Sequence, residues 1–149
     1  MRNRNKAVVT IEEIKEIIER RNLPSKINEG FDMQKKEHFT YIEVFHGEDK
    51  LMLDLSDEYT IFFGDWHGHY YPDAKQDMKE FRQVLEDILD NKMCSVGCFK
   101  ERDGVESWCG SSIEFRENLD RDYFQRKYGG DWIIRCKFFD ETMNRVFMT

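Results

Sequence analysis

Proline is scarce in this chain, which has 2 prolines among 149 residues, Pro24 and Pro72. Proline ends helices, and each of the two lies beside a predicted helix boundary. No repeat and no low-complexity segment divides the chain into parts. We therefore predict a single domain over residues 1–149, with residues 1–8 frayed.

Long apolar runs are also missing. The uncharged stretch from Tyr59 to Gly64 is far shorter than the ~20 residues that cross a bilayer. The segment from Met1 to Lys6 does not lead into the apolar region and cleavage site of a signal peptide. We therefore expect a cytoplasmic protein that does not bind membranes.

The few cysteines do not follow the spacing of a metal site. Structural zinc sites use two closely spaced ligand pairs, and Cys94 and Cys98 have no second pair behind them. A chain with a sufficient core and no export signal keeps its thiols reduced. We predict that Cys94, Cys98, Cys109 and Cys136 are free thiols packed as small apolar side chains.

Basic residues are in the minority, since 23 Lys and Arg face 30 Asp and Glu for a net charge of −7. Three of the basic residues, Arg2, Arg4 and Lys6, lie at the very start, so the rest of the chain is more acidic still. An acidic body repels phosphate groups, which argues against nucleic acid as a partner and is compatible with a basic protein.

Two helices are predicted from apolar periodicity. The first begins at a capping box formed by Thr10 and Glu13 and continues until Leu23-Pro24. Its isoleucines recur at helical spacing, and they are Ile11, Ile14, Ile17 and Ile18. The second spans about residues 74–90, and its apolar stripe consists of Met78, Phe81, Leu85, Ile88 and Leu89.

Three strands of period two are predicted between these helices. Residues 25–36 are polar and contain Gly30, so we predict a connecting loop there. The first strand places Phe39, Tyr41 and Phe45 on one face. Polar turns then separate it from Leu51 to Leu55 and from Tyr59 to Phe63, which gives an antiparallel meander.

Further strands are predicted after the second helix. Residues 94–99 and 105–109 form a hairpin around Asp103-Gly104, a step that supplies the positive φ angles of a tight turn. Residues 112–115, 132–139 and 146–148 are predicted as strands, whereas 119–128 suit a short helix or an irregular strand. The sequence thus predicts an α+β fold, an antiparallel sheet of about six strands with two helices on one face, in the order αβββαβββ.

The most informative stretch is Asp65-Trp66-His67-Gly68-His69, followed by Tyr70 and Tyr71. On an extended backbone Asp65, His67, His69 and Tyr71 all project to one side and form a polar site. A glycine such as Gly64 often marks a bulge, and a bulge there would change the face on which the histidines lie.

Three interpretations of this stretch are open. In the first, Asp65, His67 and His69 continue the inward face of the third strand and are satisfied by hydrogen bonds. In the second, the aromatic residues interleaved with Asp and His form a protein-contact patch. In the third, His67 and His69 bind Zn²⁺, Fe²⁺ or Mn²⁺ with Asp65, Asp73 or a distant carboxylate.

Other reaction centres lack support in the sequence. The Ser111-Ser112 pair lies in no Gly-x-Ser-x-Gly elbow, and Gly129-Gly130 precedes a predicted strand, which is the wrong order for a phosphate-binding loop. We therefore expect no catalytic residue, no cofactor and no resident metal ion.

The segment from Tyr59 to Tyr71 together with the second helix resembles small bacterial proteins of the polymorphic-toxin immunity type. This resemblance implies a cytosolic, acidic protein that binds and neutralises a toxin. We predict a non-enzymatic protein-binding module, and its predicted contact residues are Asp65, Trp66, His67, His69, Tyr70 and Tyr71. The alternative is a metal-binding protein or metal-dependent hydrolase that uses His67 and His69.

Overall fold

The computed structural model describes residues 8–149, which form three α-helices and nine strands. The helices are α1 (Ile11–Glu19), α2 (Lys75–Leu89) and α3 (Arg121–Tyr128). The strands are β1 (Ser25–Asp32), β2 (Glu37–His46), β3 (Asp49–Leu55), β4 (Tyr59–Phe63), β5 (Trp66–Tyr70), β6 (Met93–Arg102), β7 (Val105–Phe115), β8 (Ile133–Lys137) and β9 (Arg145–Met148).

The strands form two antiparallel sheets. The first has the order β1-β2-β3-β4-β5 and the second has the order β7-β6-β8-β9. The described chain forms two compact units, the first made of residues 8–62 and 67–86 and the second of residues 63–66 and 87–149. The α+β class is confirmed, whereas the single six-stranded sheet with two helices in the order αβββαβββ was wrong.

Both predicted helices are present, but α1 ends at Glu19, before the predicted end at Leu23-Pro24. The Thr10 hydroxyl accepts a hydrogen bond from the Glu13 amide at 3.1 Å and caps α1. Helix α2 lies within one residue of each predicted end and buries its apolar stripe. The undecided residues 119–128 include α3, which begins where the Asp120 carboxylate accepts from the Tyr123 amide at 2.7 Å.

Strand β1 replaces the loop that we predicted over residues 25–36. It pairs with β2 in a continuous antiparallel register from Ser25 with Val44 to Asp32 with Glu37. Most of its side chains are exposed, so it carries little of the apolar alternation by which strands are recognised. Gly30 lies opposite Phe39, whose ring occupies the space that a Cβ on Gly30 would need. Strand β2 therefore accounts for the extended conformation of β1 and for the need for glycine at position 30.

The second unit has its own apolar core. Strand β6 is buried at six successive residues, Met93 to Cys98. Its alternate residues Cys94, Val96 and Cys98 join a cluster that also contains Leu119, Phe124, Ile134, Cys136 and Phe138. The Asp103-Gly104 turn is confirmed, with φ angles of 53° and 77°. Strand β7 is continuous over the two segments that we predicted as separate strands.

The four cysteines are free, as predicted. Three of them are buried, but Cys109 is exposed, so the expectation that all four pack as small apolar side chains was wrong. Cys109 lies at the end of a stretch of β7, Val105–Cys109, whose residues are all exposed. The register shifts beside Phe99, and Cys109 is the extra residue between Trp108 and Gly110.

Between residues 8 and 149, no helix combines the length and the apolar character that a membrane crossing requires.

Candidate histidine site on strand β5

A two-residue turn, Gly64-Asp65, joins β4 to β5 and reverses the chain. Gly64 has a φ angle of 58°, a conformation that glycine adopts at no steric cost and that fits the first position of a hairpin turn. A Cβ on Gly64 would also lie 2.1 Å from the Ser95 hydroxyl oxygen. The predicted third strand therefore does not continue through Asp65, because the turn divides it into β4 and β5.

His67 and His69 lie on one face of β5, and both are exposed. Their ring centroids are 5.0 Å apart, with an interplanar angle of 78°. The ring of His67 also contacts that of Phe62 on β4, at a centroid distance of 5.8 Å. The shared face that we predicted is present, but it is the outward face of the sheet. The interpretation that placed both histidines on the inward face was wrong.

The proton on His69 is positioned by Glu58. The Glu58 Oε1 atom lies 2.7 Å from His69 Nδ1, and the Thr60 hydroxyl lies 3.1 Å from the same nitrogen. Because an ionised carboxylate only accepts hydrogen bonds, the short contact requires a proton on Nδ1, and in the neutral imidazole the lone pair is then on Nε2. A nucleophile relay would need the hydroxyl and the carboxylate on opposite ring nitrogens. These three residues therefore do not form a catalytic triad.

The histidines belong to a larger outward face of the first sheet. Strands β2 and β3 bury alternate residues such as Ile42 and Leu53 completely. The side chains between them point outward, and on β2 Phe39 and Tyr41 stack with centroids 5.2 Å apart. We call the following outward side chains the aromatic face: Phe39, Tyr41, Phe62, His67 and His69.

The remaining predicted contact residues occupy different positions. Asp65 lies in the turn and is half-buried, and its Oδ2 atom occupies the space that a Cβ on Gly97 would need. Trp66 is half-buried on the side of β5 opposite the histidines, because neighbouring strand residues alternate. Tyr71 follows the strand and is 58% exposed, and its amide donates to the Asp77 carboxylate at 2.8 Å. Neither Asp65 nor Trp66 belongs to the aromatic face.

Tyr70 is a core residue. It is buried, and its ring contacts that of Phe81 on α2 at a centroid distance of 5.6 Å. Burial, together with the nearby carboxylates of Glu80 and Asp77, raises the pKa of its hydroxyl to about 12. A substitution here would test folding rather than recognition.

Sequence reasoning missed Glu58, Thr60 and Phe62 as members of the site. The signal was available in the Gly64-Asp65 step, because a two-residue turn there sets Phe62 opposite His67 and Thr60 opposite His69. We interpreted Gly64 as a position inside an extended segment or a bulge. The cross-strand neighbours of the histidines were therefore not identified.

Within one chain, the described residues give little support for a metal site or for a reactive thiol. Across residues 8–149, no three His, Cys, Asp or Glu side chains are grouped so that they could hold an ion. Among the buried thiols, a hydrogen bond with Cys136 and burial raise the pKa of Cys94, and burial raises the pKa of Cys98. Both thiols therefore stay protonated at neutral pH and are poor nucleophiles.

The first unit also has an open cavity of about 560 Å³ beside the start of α2. Its wall combines Lys75, Lys79 and Arg82 with Glu13 and apolar side chains. No residue of the aromatic face lines it.

No family model, curated protein or solved structure matches the chain. The comparisons therefore transfer no activity and no site residue to this protein.

Proposed function

We propose that the protein is a non-enzymatic binding module that recognises a basic protein through the aromatic face and Tyr71. The observation that supports this is the exposure of Phe62, His67 and His69 on one side of the first sheet, where Phe39 and Tyr41 are half-buried. Phe62 is 38% exposed and Tyr71 is 58% exposed. Aromatic side chains are enriched at protein interfaces and are often the residues that contribute most to affinity.

Charge favours a basic partner. The chain carries a net charge of −7, and Glu58 is an acidic residue beside the histidines. Opposite charges on the two proteins would accelerate association and make it sensitive to salt. The resemblance of the segment from Tyr59 to Tyr71 to immunity proteins makes a cytoplasmic toxin the partner that we propose.

Where a gene adjacent to this one encodes a basic protein, that protein is the probe for the experiment. We expect the untagged chain to bind it in titration calorimetry, with an affinity that falls as salt is raised. We expect co-expression to restore growth when that protein is toxic. The double variant Phe62→Ser/Tyr71→Ser should weaken binding at least ~10-fold, because interface aromatic residues often contribute more than ~1.4 kcal/mol each.

The matched control is Val105→Ser/Phe115→Ser, which removes two exposed apolar side chains from the second unit. It should bind as the wild type does. Equal binding by both double variants would exclude the aromatic face as the contact surface. No binding of the probe by the wild type would contradict the proposed partner.

A second candidate function is divalent metal binding by His67 and His69. The specific observation that favours it is the Glu58 contact, because a carboxylate on one ring nitrogen orients the other nitrogen of a metal-binding histidine. Elemental analysis of untagged protein beside His67→Ala/His69→Ala tests this. Equal metal content in both proteins would contradict it.

A further inference from the structure

We propose that two copies of this chain pair through strand β5 and together bind one Zn²⁺ ion with His67 and His69 of each copy. This inference extends the second candidate function and does not depend on the protein partner proposed above. It follows from the spacing of the two imidazoles, the position of β5 in its sheet and the near-symmetry of its sequence.

The two imidazoles have the spacing of ligands to one ion. Zinc binds imidazole nitrogen at about 2.0–2.1 Å in a tetrahedral arrangement, which holds two ring centres about 5 Å apart. The centroids of His67 and His69 are 5.0 Å apart. Glu58 contacts Nδ1 of His69, so in the neutral imidazole the Nε2 atom carries the lone pair that a metal requires.

One chain supplies half of the ligands that this ion needs. Structural zinc sites are almost always four-coordinate with protein ligands. The part of the chain from residue 8 onward offers no group of three potential ligands. A second copy would complete the set with the same two residues.

Strand β5 is positioned to receive that copy. It is the last strand in the order β1-β2-β3-β4-β5, so one of its edges has no neighbouring strand among the described residues. The direction of backbone hydrogen bonding alternates along a hairpin strand. Beside a two-residue turn, the backbone amides and carbonyls of Trp66, Gly68 and Tyr70 therefore point toward β4. The amides and carbonyls of His67 and His69 then point to the free edge.

The sequence of β5 is nearly symmetric about Gly68, since an aromatic residue and a histidine precede it and a histidine and an aromatic residue follow it. Antiparallel pairing of two copies about Gly68 sets His67 of each chain opposite His69 of the other. Directly opposite residues of such a pair lie about 5.5 Å apart at Cα. All four imidazoles would therefore lie on one face, within reach of a single ion.

The interface would be isologous, because the same strand contributes on both sides. Charge also favours an ion at the axis. Each chain carries −7, so two copies repel each other, and a divalent cation between them reduces the repulsion.

The test measures mass and metal content together. Untagged full-length protein is stripped with EDTA and then titrated with ZnCl₂, while sedimentation velocity gives the mass and elemental analysis gives the bound zinc. We expect a monomer after EDTA, and a dimer with one zinc ion per two chains after titration. His67→Ala and His69→Ala should each abolish the zinc-dependent dimer.

The control variant is His38→Ala, which removes an exposed histidine from β2 of the same sheet and should dimerise as the wild type does. Glu58→Gln should weaken zinc binding ~10–100-fold, because it loosens the orientation of His69. Circular dichroism establishes that each variant is folded.

Three outcomes would overturn the proposal. A monomer that binds one zinc ion per chain would preserve metal binding and exclude the dimer. The absence of zinc binding would exclude both the metal site and the zinc-bridged dimer. A dimer that persists in EDTA, or that survives both histidine substitutions, would show that zinc does not bridge the copies.

Discussion

Strands β3 and β6 differ in how they use their two faces. Strand β3 buries Leu51, Leu53 and Leu55 and leaves Met52 and Asp54 partly exposed. Strand β6 buries every residue from Met93 to Cys98. A strand with one covered face shows an alternating pattern in its sequence, whereas a strand covered on both faces reads as a continuous run.

The second face of β6 is covered from within its own unit. Cys94, Val96 and Cys98 join the apolar cluster on one side. On the other side, Gly64 and Asp65 pack against Ser95 and Gly97 so closely that neither glycine could carry a Cβ without a clash. The comparison shows that small residues on β6 mark a close approach by the β4–β5 turn.

The largest expected loss of stability comes from placing a charge at a buried position of β3 or β6. We expect Leu53→Asp in β3, and both Ser95→Asp and Val96→Asp in β6, to destabilise the protein by more than ~4 kcal/mol, because each buries an unpaired charge. Met52→Asp should cost less than ~1 kcal/mol, since Met52 is partly exposed. Urea unfolding followed by circular dichroism measures each change. A mild effect of Ser95→Asp would mean that the second face of β6 is accessible to water.

A pair of glycine substitutions sharpens the account of that second face. Gly64 and Gly104 both have positive φ angles, but only Gly64 has atoms within 4 Å of the position of a Cβ. We expect Gly104→Ala to cost ~1–2 kcal/mol from backbone strain alone. Gly64→Ala should cost ~2–5 kcal/mol, because overpacking against Ser95 adds to the strain.

The double variant Gly64→Ala/Ser95→Ala isolates the crowding. Removing the Ser95 hydroxyl should recover part of the stability that Gly64→Ala loses, as measured by thermal unfolding. Equal costs for Gly64→Ala and Gly104→Ala would contradict the close packing of the turn on β6.

The dependence of stability on alkaline pH tests the burial of Tyr70 on the inward side of the first sheet. The folded pKa of Tyr70 is raised to about 12 from its usual 10, so its stabilising contribution is complete below pH 10 and is lost as the pH rises to 12. The loss amounts to at most about 2–3 kcal/mol. Tyr70→Phe should therefore lose less stability between pH 10 and 12 than the wild type. The exposed Tyr71→Phe is the control, and identical pH profiles for the two variants would contradict the assignment.

The smallest expected effect lies on the outward side of the same sheet. Glu58 and His69 are both partly exposed, and exposed ion pairs contribute little to stability. We expect Glu58→Gln to change the free energy of unfolding by less than ~1 kcal/mol at neutral pH. The same substitution should weaken zinc binding strongly, so stability and metal affinity would respond separately. A large loss of stability would mean that Glu58 acts as a structural residue.

The helices and the hairpins with strong local signals could be predicted from the sequence. The cap at Thr10, the apolar stripe of α2 and the Asp103-Gly104 turn depend on residues that are near one another in the chain. Strand β1 could not be predicted in this way, because its mostly exposed side chains carry no apolar period and its partner β2 defines it.

The candidate site was predicted in part. The sequence placed His67 and His69 on a common face, which the alternation of strand residues requires. It did not decide between the inward and outward faces, because a single turn at Gly64-Asp65 reverses the chain and brings Phe62 and Thr60 opposite the histidines. Tyr70 was predicted as a contact residue and is buried instead.

The sequence by itself determined the α+β class, the main helices, the acidic charge and the histidine pair, because composition and local periodicity encode them. Only the tertiary structure decided that the strands form two sheets rather than one, and that Glu58 contacts His69. The physical reason is that pairing between strands and the covering of their faces depend on residues distant along the chain. A pattern within one strand records which residues avoid water, but it does not record which segment covers them.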